Sequence, residues 1–220
     1  MIKCCIFDLD GTILDTIGSI TYFVNKTLGE YGIESVSVEE CKYFAGNGAR
    51  TLIKRALTSK GVTDEALAEK ILADYVLAYD KDPLYLTTVF EGIGELLSSL
   101  KARGVKLAVL SNKPDSTVKS IVKDFFGDVF DVALGGRDGV PLKPDPTAAL
   151  DILNMLGYTP KEAAWVGDTS TDIETAKNLK AALSFGVLWG FRKRDELERA
   201  GADIIVSSAD EILRGIASVD

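Results

Sequence analysis

Two aspartates one residue apart, Asp8 and Asp10, end the apolar run Cys4-Cys5-Ile6-Phe7 and are followed by Gly11-Thr12. Side chains i and i+2 of a strand share a face. A strand continued through Asp10 would therefore set both carboxyl groups side by side, whereas a break at Gly11 would put Asp10 in a turn beside Asp8. Either arrangement crowds two negative charges where a buried strand meets a loop, and such crowding calls for a cation or a proton. A polar strand end with an Asp-Gly turn is the plainer reading, and the rest of the chain decides between them. Ser111-Asn112 follows the apolar stretch 105–110, and a hydroxyl beside a backbone N–H suits a phosphate oxygen. Lys143 lies in Pro141-Leu142-Lys143-Pro144-Asp145-Pro146, where prolines lower the cost of holding one lysine in place. Asp168 and Asp172 lie in Gly167-Asp168-Thr169-Ser170-Thr171-Asp172. Asp172 would stabilise a first helical turn in any case, but Asp168 ends an apolar strand. Carboxylates converging from Asp8, Asp10, Asp168 and Asp172 need a divalent cation, and oxygen donors without His or Cys select Mg²⁺.

The chain has 220 residues and no histidine. That absence removes Ser-His-Asp and Cys-His schemes, phosphohistidine chemistry and His-ligated zinc. Acid–base work falls to Asp, Glu, Lys, Tyr or Cys. Cys4, Cys5 and Cys41 are too few and too irregularly spaced for a metal site. They read as core residues of a protein in a reducing, cytoplasmic compartment. With 25 basic and 33 acidic residues the net charge is -8, which argues against nucleic acid or an anionic membrane as partner. No apolar run is long enough for a secretory signal or a membrane span. The basic cluster Arg192-Lys193-Arg194 reads as a solvated turn, and Asn25-Lys26-Thr27 as an inert sequon.

The elements that must position these groups alternate. Apolar strands are expected at 2–8, 105–110, 129–134, 163–166, 182–188 and 203–206, with helices between them and a last amphipathic helix at 209–217. Asp145-Pro146 reads as an N-cap with proline at the first helical position. This order means an α/β fold, a Rossmann-like doubly wound parallel sheet covered on both faces. Ligands in such a sheet bind at the carboxyl ends of its strands, where the groups above all fall. Between 16 and 80 only helical periodicity appears, so 16–81 is expected to be an inserted α-helical domain and 1–15 with 82–220 the α/β core. Within the insert, Gly46, Asn47 and Gly48 precede a helix whose N–H groups could bind an anion. Arg50, one turn further on, could pair with a substrate carboxylate or simply face solvent.

Asp8-Leu9-Asp10-Gly11-Thr12, Ser111-Asn112, Lys143 in Lys-Pro-Asp-Pro and Gly167-Asp168 with Asp172 together resemble the haloacid dehalogenase superfamily of aspartate-nucleophile phosphohydrolases. With the Gly46-Asn47-Gly48 turn, the chain is most similar to its phosphoglycolate phosphatase-like subgroup. The resemblance implies that Asp8 attacks phosphorus to form an aspartyl-phosphate, and that Asp10 protonates the leaving alkoxide and then activates water. It implies Mg²⁺ held by Asp8, the Asp10 carbonyl and Asp168, with Asp172 assisting directly or by orienting water. Ser111 and Lys143 would hold phosphoryl oxygens, with Thr12 and Asn112 as further contacts. The insert would be a cap that selects a small phosphorylated metabolite. The motifs are shared by phosphatases, a β-phosphoglucomutase-like phosphomutase and pyrophosphatases of the superfamily. A receiver-like phospho-aspartate signalling domain is shorter and carries its acceptor on a middle strand. Monomer and homodimer both remain open.

Overall fold

The computed structural model describes residues 1–218. The chain divides into two compact units, Met1–Asp15 together with Val89 onward, and Thr16–Thr88. In chain order the first unit opens with β1 (Cys4–Phe7) and β2 (Leu14–Asp15). The second holds α1 (Ile17–Glu30), α2 (Val38–Phe44), α3 (Ala49–Ser59) and α4 (Glu65–Lys81). The chain then continues through β3 (Thr88–Val89), α5 (Ile93–Ala102), β4 (Lys106–Pro114), α6 (Asp115–Phe126), β5 (Val132–Gly136) and α7 (Thr147–Leu156). It ends with β6 (Ala163–Gly167), α8 (Ser170–Leu179), β7 (Leu183–Val187), α9 (Arg194–Ala200), β8 (Ile204–Val206) and α10 (Ala209–Ala217).

Six of these strands form one sheet in the order β5-β4-β1-β6-β7-β8, every pair parallel. This is the Rossmann-like doubly wound α/β fold. The strand order reverses beside β1, the point at which such sheets open a crevice for ligands. Register then aligns the chemistry. Phe7 lies opposite Val109 on one side and Val166 on the other, so Asp8, Leu110 and Gly167 follow at one level. Strand β1 is fully buried, as a central strand of a parallel sheet must be. Its Cys4 and Ile6 side chains join Ala108, Leu110 and Trp165 against Ala149, Ile152 and Leu153 of α7. The alternate set, Cys5 and Phe7, serves the opposite face. Phe7 meets Phe130 edge-on there, 6.2 Å between ring centres.

Sequence expectation and structure part at several places in this unit, among them the unexpected short strands β2 and β3. Strand β4 runs on to Pro114, through a register irregularity after Leu110, so Ser111-Asn112 lies within the strand. The strand expected at 129–134 begins at Val132. Helix α7 starts at Thr147 with Pro146 at the N-cap position, and Asp145 accepts the Thr147 N–H at 2.9 Å from outside the helix. Asp-Pro satisfies both patterns, and sequence alone does not choose the register of the first turn.

The second unit is helical throughout its named elements up to β3 and ends at Thr88, beyond the expected 81. Buried Ile20, Phe23, Val24 and Leu28 of α1 and Ile71, Tyr75 and Tyr79 of α4 form its apolar seam, with Phe23 and Tyr79 rings 5.3 Å apart. The helix starts are set locally. Ser37 and Glu40 make a reciprocal capping box at α2, and Asp64 caps α4 through the Leu67 N–H.

Candidate active site

Asp8 follows directly on β1 and is 6% exposed. Of the two geometries the sequence allowed for Asp10, the structure adopts the turn. Asp10 makes an isolated bridge with Leu14, and Gly11 takes φ +83°. Glycine is required there, because a Cβ would lie 2.4 Å from an oxygen of Asp168. Gly167 and Gly190 are equally hemmed in, against Asp172 and Asp168 respectively. The backbone thus closes tightly round the acidic cluster.

Carboxylate oxygens of Asp8, Asp168 and Asp172 lie within 4.8 Å of one another, all three residues buried. Lys143 enters this cluster from the loop after β5. Its Nζ sits 2.7 Å from Asp8 Oδ1 and 2.8 Å from Asp172 Oδ1, and 5.8 Å from the Trp165 ring centre. Asp168 accepts from the Thr12 hydroxyl at 3.1 Å and the Phe191 N–H at 2.7 Å. Asp172 accepts from both the N–H and the hydroxyl of Thr169, closing the capping box of α8. Burial pushes the Asp8 carboxyl up to about 7, helped by the charge of Asp172 and opposed by Lys143. Burial likewise drives Asp168 well above the carboxylate range, with Asp172 and Asp8 adding to it. Burial pulls the Lys143 ammonium down, but Asp172 and Asp8 outweigh it and the net shift is upward. The site is therefore short of positive charge. Each carboxylate oxygen carries two lone pairs, so the oxygens already hydrogen-bonded still have electrons to offer. An all-oxygen donor set of this charge fits a hard divalent cation such as Mg²⁺.

Two of the residues expected to contact phosphate also have partners within the protein. Thr12 is fully buried and gives its hydroxyl proton to Asp168. Its carbonyl accepts the Trp189 indole N–H at 3.0 Å. Asn112 grips the main chain of Lys143 from both sides, accepting its N–H at 2.8 Å and donating to its carbonyl at 3.1 Å. Both residues hold other site residues in place. A single sequence shows a polar residue beside a motif and does not show which partners it meets. Ser111, 3% exposed, accepts the Lys113 N–H at 3.2 Å. Lys113 lies in β4, past the strand end expected at residue 110. Its Nζ meets both oxygens of Asp10, at 2.8 and 3.1 Å.

The residues expected to select substrate lie in the helical unit. Gly46 and Gly48 take φ +106° and +84°, and Gly48 precedes α3 with no side-chain cap on the helix. Asn47 Oδ1 accepts from Arg55 at 2.9 Å, and the same guanidinium nitrogen reaches the carbonyls of Phe44 and Tyr43 at 3.1 and 3.3 Å. Arg55 thus ties the loop to the end of α2, a role only a fold can reveal. Arg50 is exposed and pairs with Glu69 of α4.

A doubly wound α/β sheet with an acidic, oxygen-only centre and a buried lysine at the carboxyl edge of its central strand defines a class, that of phosphoryl-transfer hydrolases. The sequence profile of haloacid dehalogenase-like hydrolases matches residues 5–184. A phosphoglycolate phosphatase of Pseudomonas putida is 31% identical, covering 98% of this chain and 80% of its own. One from Aquifex aeolicus is 34% identical over 87% of each chain. A crystal structure from Lactobacillus delbrueckii subsp. bulgaricus, of a protein provisionally named phosphoglycolate phosphatase, superposes with a TM-score of 0.92. It is 32% identical and covers 97% of this chain and 98% of its own. The chain belongs to the haloacid dehalogenase-like hydrolase family, in its phosphoglycolate phosphatase-like subgroup, and is a phosphatase. Among the described residues no helix is long and apolar enough to cross a membrane.

Proposed function

We propose that this phosphatase hydrolyses a small, acidic phosphomonoester of the phosphoglycolate type, through an aspartyl-phosphate on Asp8 and with Mg²⁺. The observation that carries this reading is Lys143, whose ammonium is shared by Asp8 and Asp172 inside a buried carboxylate cluster. An isolated lysine–aspartate pair would be a structural ion pair. A cluster with more negative than positive charge is built to receive positive charge.

In the first half-reaction a bond forms from an Asp8 oxygen to phosphorus. The ester P–O bond breaks with its electron pair to the alkoxy oxygen, which takes a proton from Asp10. In the second, Asp10 accepts a proton from the water that attacks phosphorus, and Asp8 is released. Asp8, Asp168 and the main-chain carbonyl of Asp10 would hold Mg²⁺, with Asp172 assisting. The ion would supply charge stabilisation for the phosphoryl oxygens. Lys143 offsets the same charge, and its low exposure keeps that interaction strong. Ser111 directs its hydroxyl proton to a phosphoryl oxygen while its lone pair holds Lys113 in register. The helical unit acts as the cap that sets selectivity, with the loop at Gly46-Asn47-Gly48 and Arg50 as its anion-binding elements.

The curated relatives carry the name phosphoglycolate phosphatase, and that name supports the substrate class. A screen of phosphorylated metabolites for released phosphate, with Mg²⁺ and with EDTA, tests it. Phosphoglycolate should rank first by kcat/KM, and EDTA should bring turnover to background. A sugar phosphate ranking first would replace the substrate class. Turnover that survives EDTA would overturn the cation.

A further inference from the structure

The site contains a second lysine, and it serves a different aspartate. Lys113 lies near the end of β4 and its ammonium spans both carboxyl oxygens of Asp10, at 2.8 and 3.1 Å. Its side chain is 11% exposed and that of Asp10 17%. No other side chain among the described residues donates a hydrogen bond to Asp10, whose backbone sits in a turn rather than in the sheet. One ammonium placed on both oxygens holds the carboxyl group from one side by charge. The stem of Lys113 is in turn fixed, because its N–H is bonded to the Ser111 hydroxyl. Ser111, Lys113 and Asp10 therefore form one connected chain, while the Lys143 ammonium pairs with Asp8 and Asp172.

We propose that Lys113 is the positioning residue for Asp10: it aims the carboxyl group at the leaving-group oxygen, so that each of the two working aspartates has its own lysine. The proposal rests on the reading of Asp10 as the proton donor. A misaimed donor harms departure of an alkoxide, which needs a proton as the P–O bond breaks. It harms departure of p-nitrophenolate much less, because that anion is stable without one.

The test is the first turnover, followed in rapid-mixing experiments with Mg²⁺, using glycerol phosphate and p-nitrophenyl phosphate as paired probes. Burst amplitude counts folded, competent sites, so the rates are independent of any loss of folding in a variant. For Lys113→Met the ratio of alkyl to nitrophenyl rate should fall by about 10²-fold, the usual contribution of a positioned general acid. Lys113→Arg, which retains the charge and can donate to both oxygens, should recover most of that ratio. Equal losses on both probes in Lys113→Met would overturn the proposal, since they would mean a general structural or charge effect. Asp10→Asn is the separate control. Its ratio should fall at least as far, and a ratio unchanged in Asp10→Asn would refute the proton-donor reading itself.

Discussion

The two units of this protein hold their functional residues by opposite means. In the α/β unit Asp8, Lys143, Asp168 and Asp172 are nearly inaccessible, and their side chains hydrogen-bond or pair with one another and with the surrounding backbone. In the helical unit the Arg55 guanidinium reaches the loop at Asn47, and Arg50 and Glu69 meet in the open. Buried charges are expensive, so each must be compensated and few alternative arrangements exist. The half-buried loop residues Gly46, Asn47 and Gly48 carry no charge and are under no such constraint, and exposed ion pairs contribute little to stability. The proposed chemistry thus sits in the part of the fold that cannot drift, and the proposed selectivity in the part that can.

Substitutions can break this contrast, beginning with the largest expected effect. Asp8→Asn should reduce phosphate release from any ester by at least about 10⁴-fold, as loss of a nucleophile does, while circular dichroism shows the fold intact. Lys143→Met removes the cation from two buried carboxylates at once. Breaking such a buried pair costs about 3–5 kcal/mol, readable as a lowered denaturant midpoint alongside lost activity. A midpoint equal to that of the wild type would mean that the cluster is wetter than its burial implies.

The raised Asp8 carboxyl gives a pH signature with a definite sign. Burial raises it from the ordinary value of 3.8 to about 7 in the folded protein. Across that window the folded state holds more protons than the unfolded one, so stability of the metal-free protein should fall as pH rises. Mg²⁺ favours the ionised form and should flatten the slope. Denaturant titrations from pH 4 to 8, with EDTA and with Mg²⁺, measure both. Arg55→Met should show the smallest effect, raising KM for phosphoglycolate about tenfold, near the strength of one charge-assisted contact, with kcat unchanged. An equal rise in KM for p-nitrophenyl phosphate would show that the loop does not discriminate between substrates.

The same contrast explains what the sequence made legible. Strand ends in a parallel sheet are marked by apolar runs that stop abruptly, so Asp8, Ser111, Lys143 and Asp168 could be placed at one edge before any coordinates. The absence of histidine narrowed the donor set further. What stayed hidden was partnership. Nothing in the sequence distinguishes a Thr12 that binds phosphate from one that bonds Asp168, or an Asn112 that meets substrate from one that clasps Lys143. Lys113 was masked because β4 continues past its apolar run into Ser-Asn-Lys-Pro, residues that individually read as a turn. Arg55 was invisible because its partners lie 8 to 12 positions away across a loop.

The central claim is that Asp8 becomes covalently phosphorylated, and it can be read directly. Wild-type enzyme mixed with phosphoglycolate and Mg²⁺, quenched in acid within the first turnover and digested, should yield a phosphoryl adduct on the peptide carrying Asp8. The adduct should be lost in Asp8→Asn and should accumulate in a variant slowed in the second half-reaction. A phosphoryl group found on any other residue, or turnover by Asp8→Asn at a rate near that of the wild type, would contradict the account.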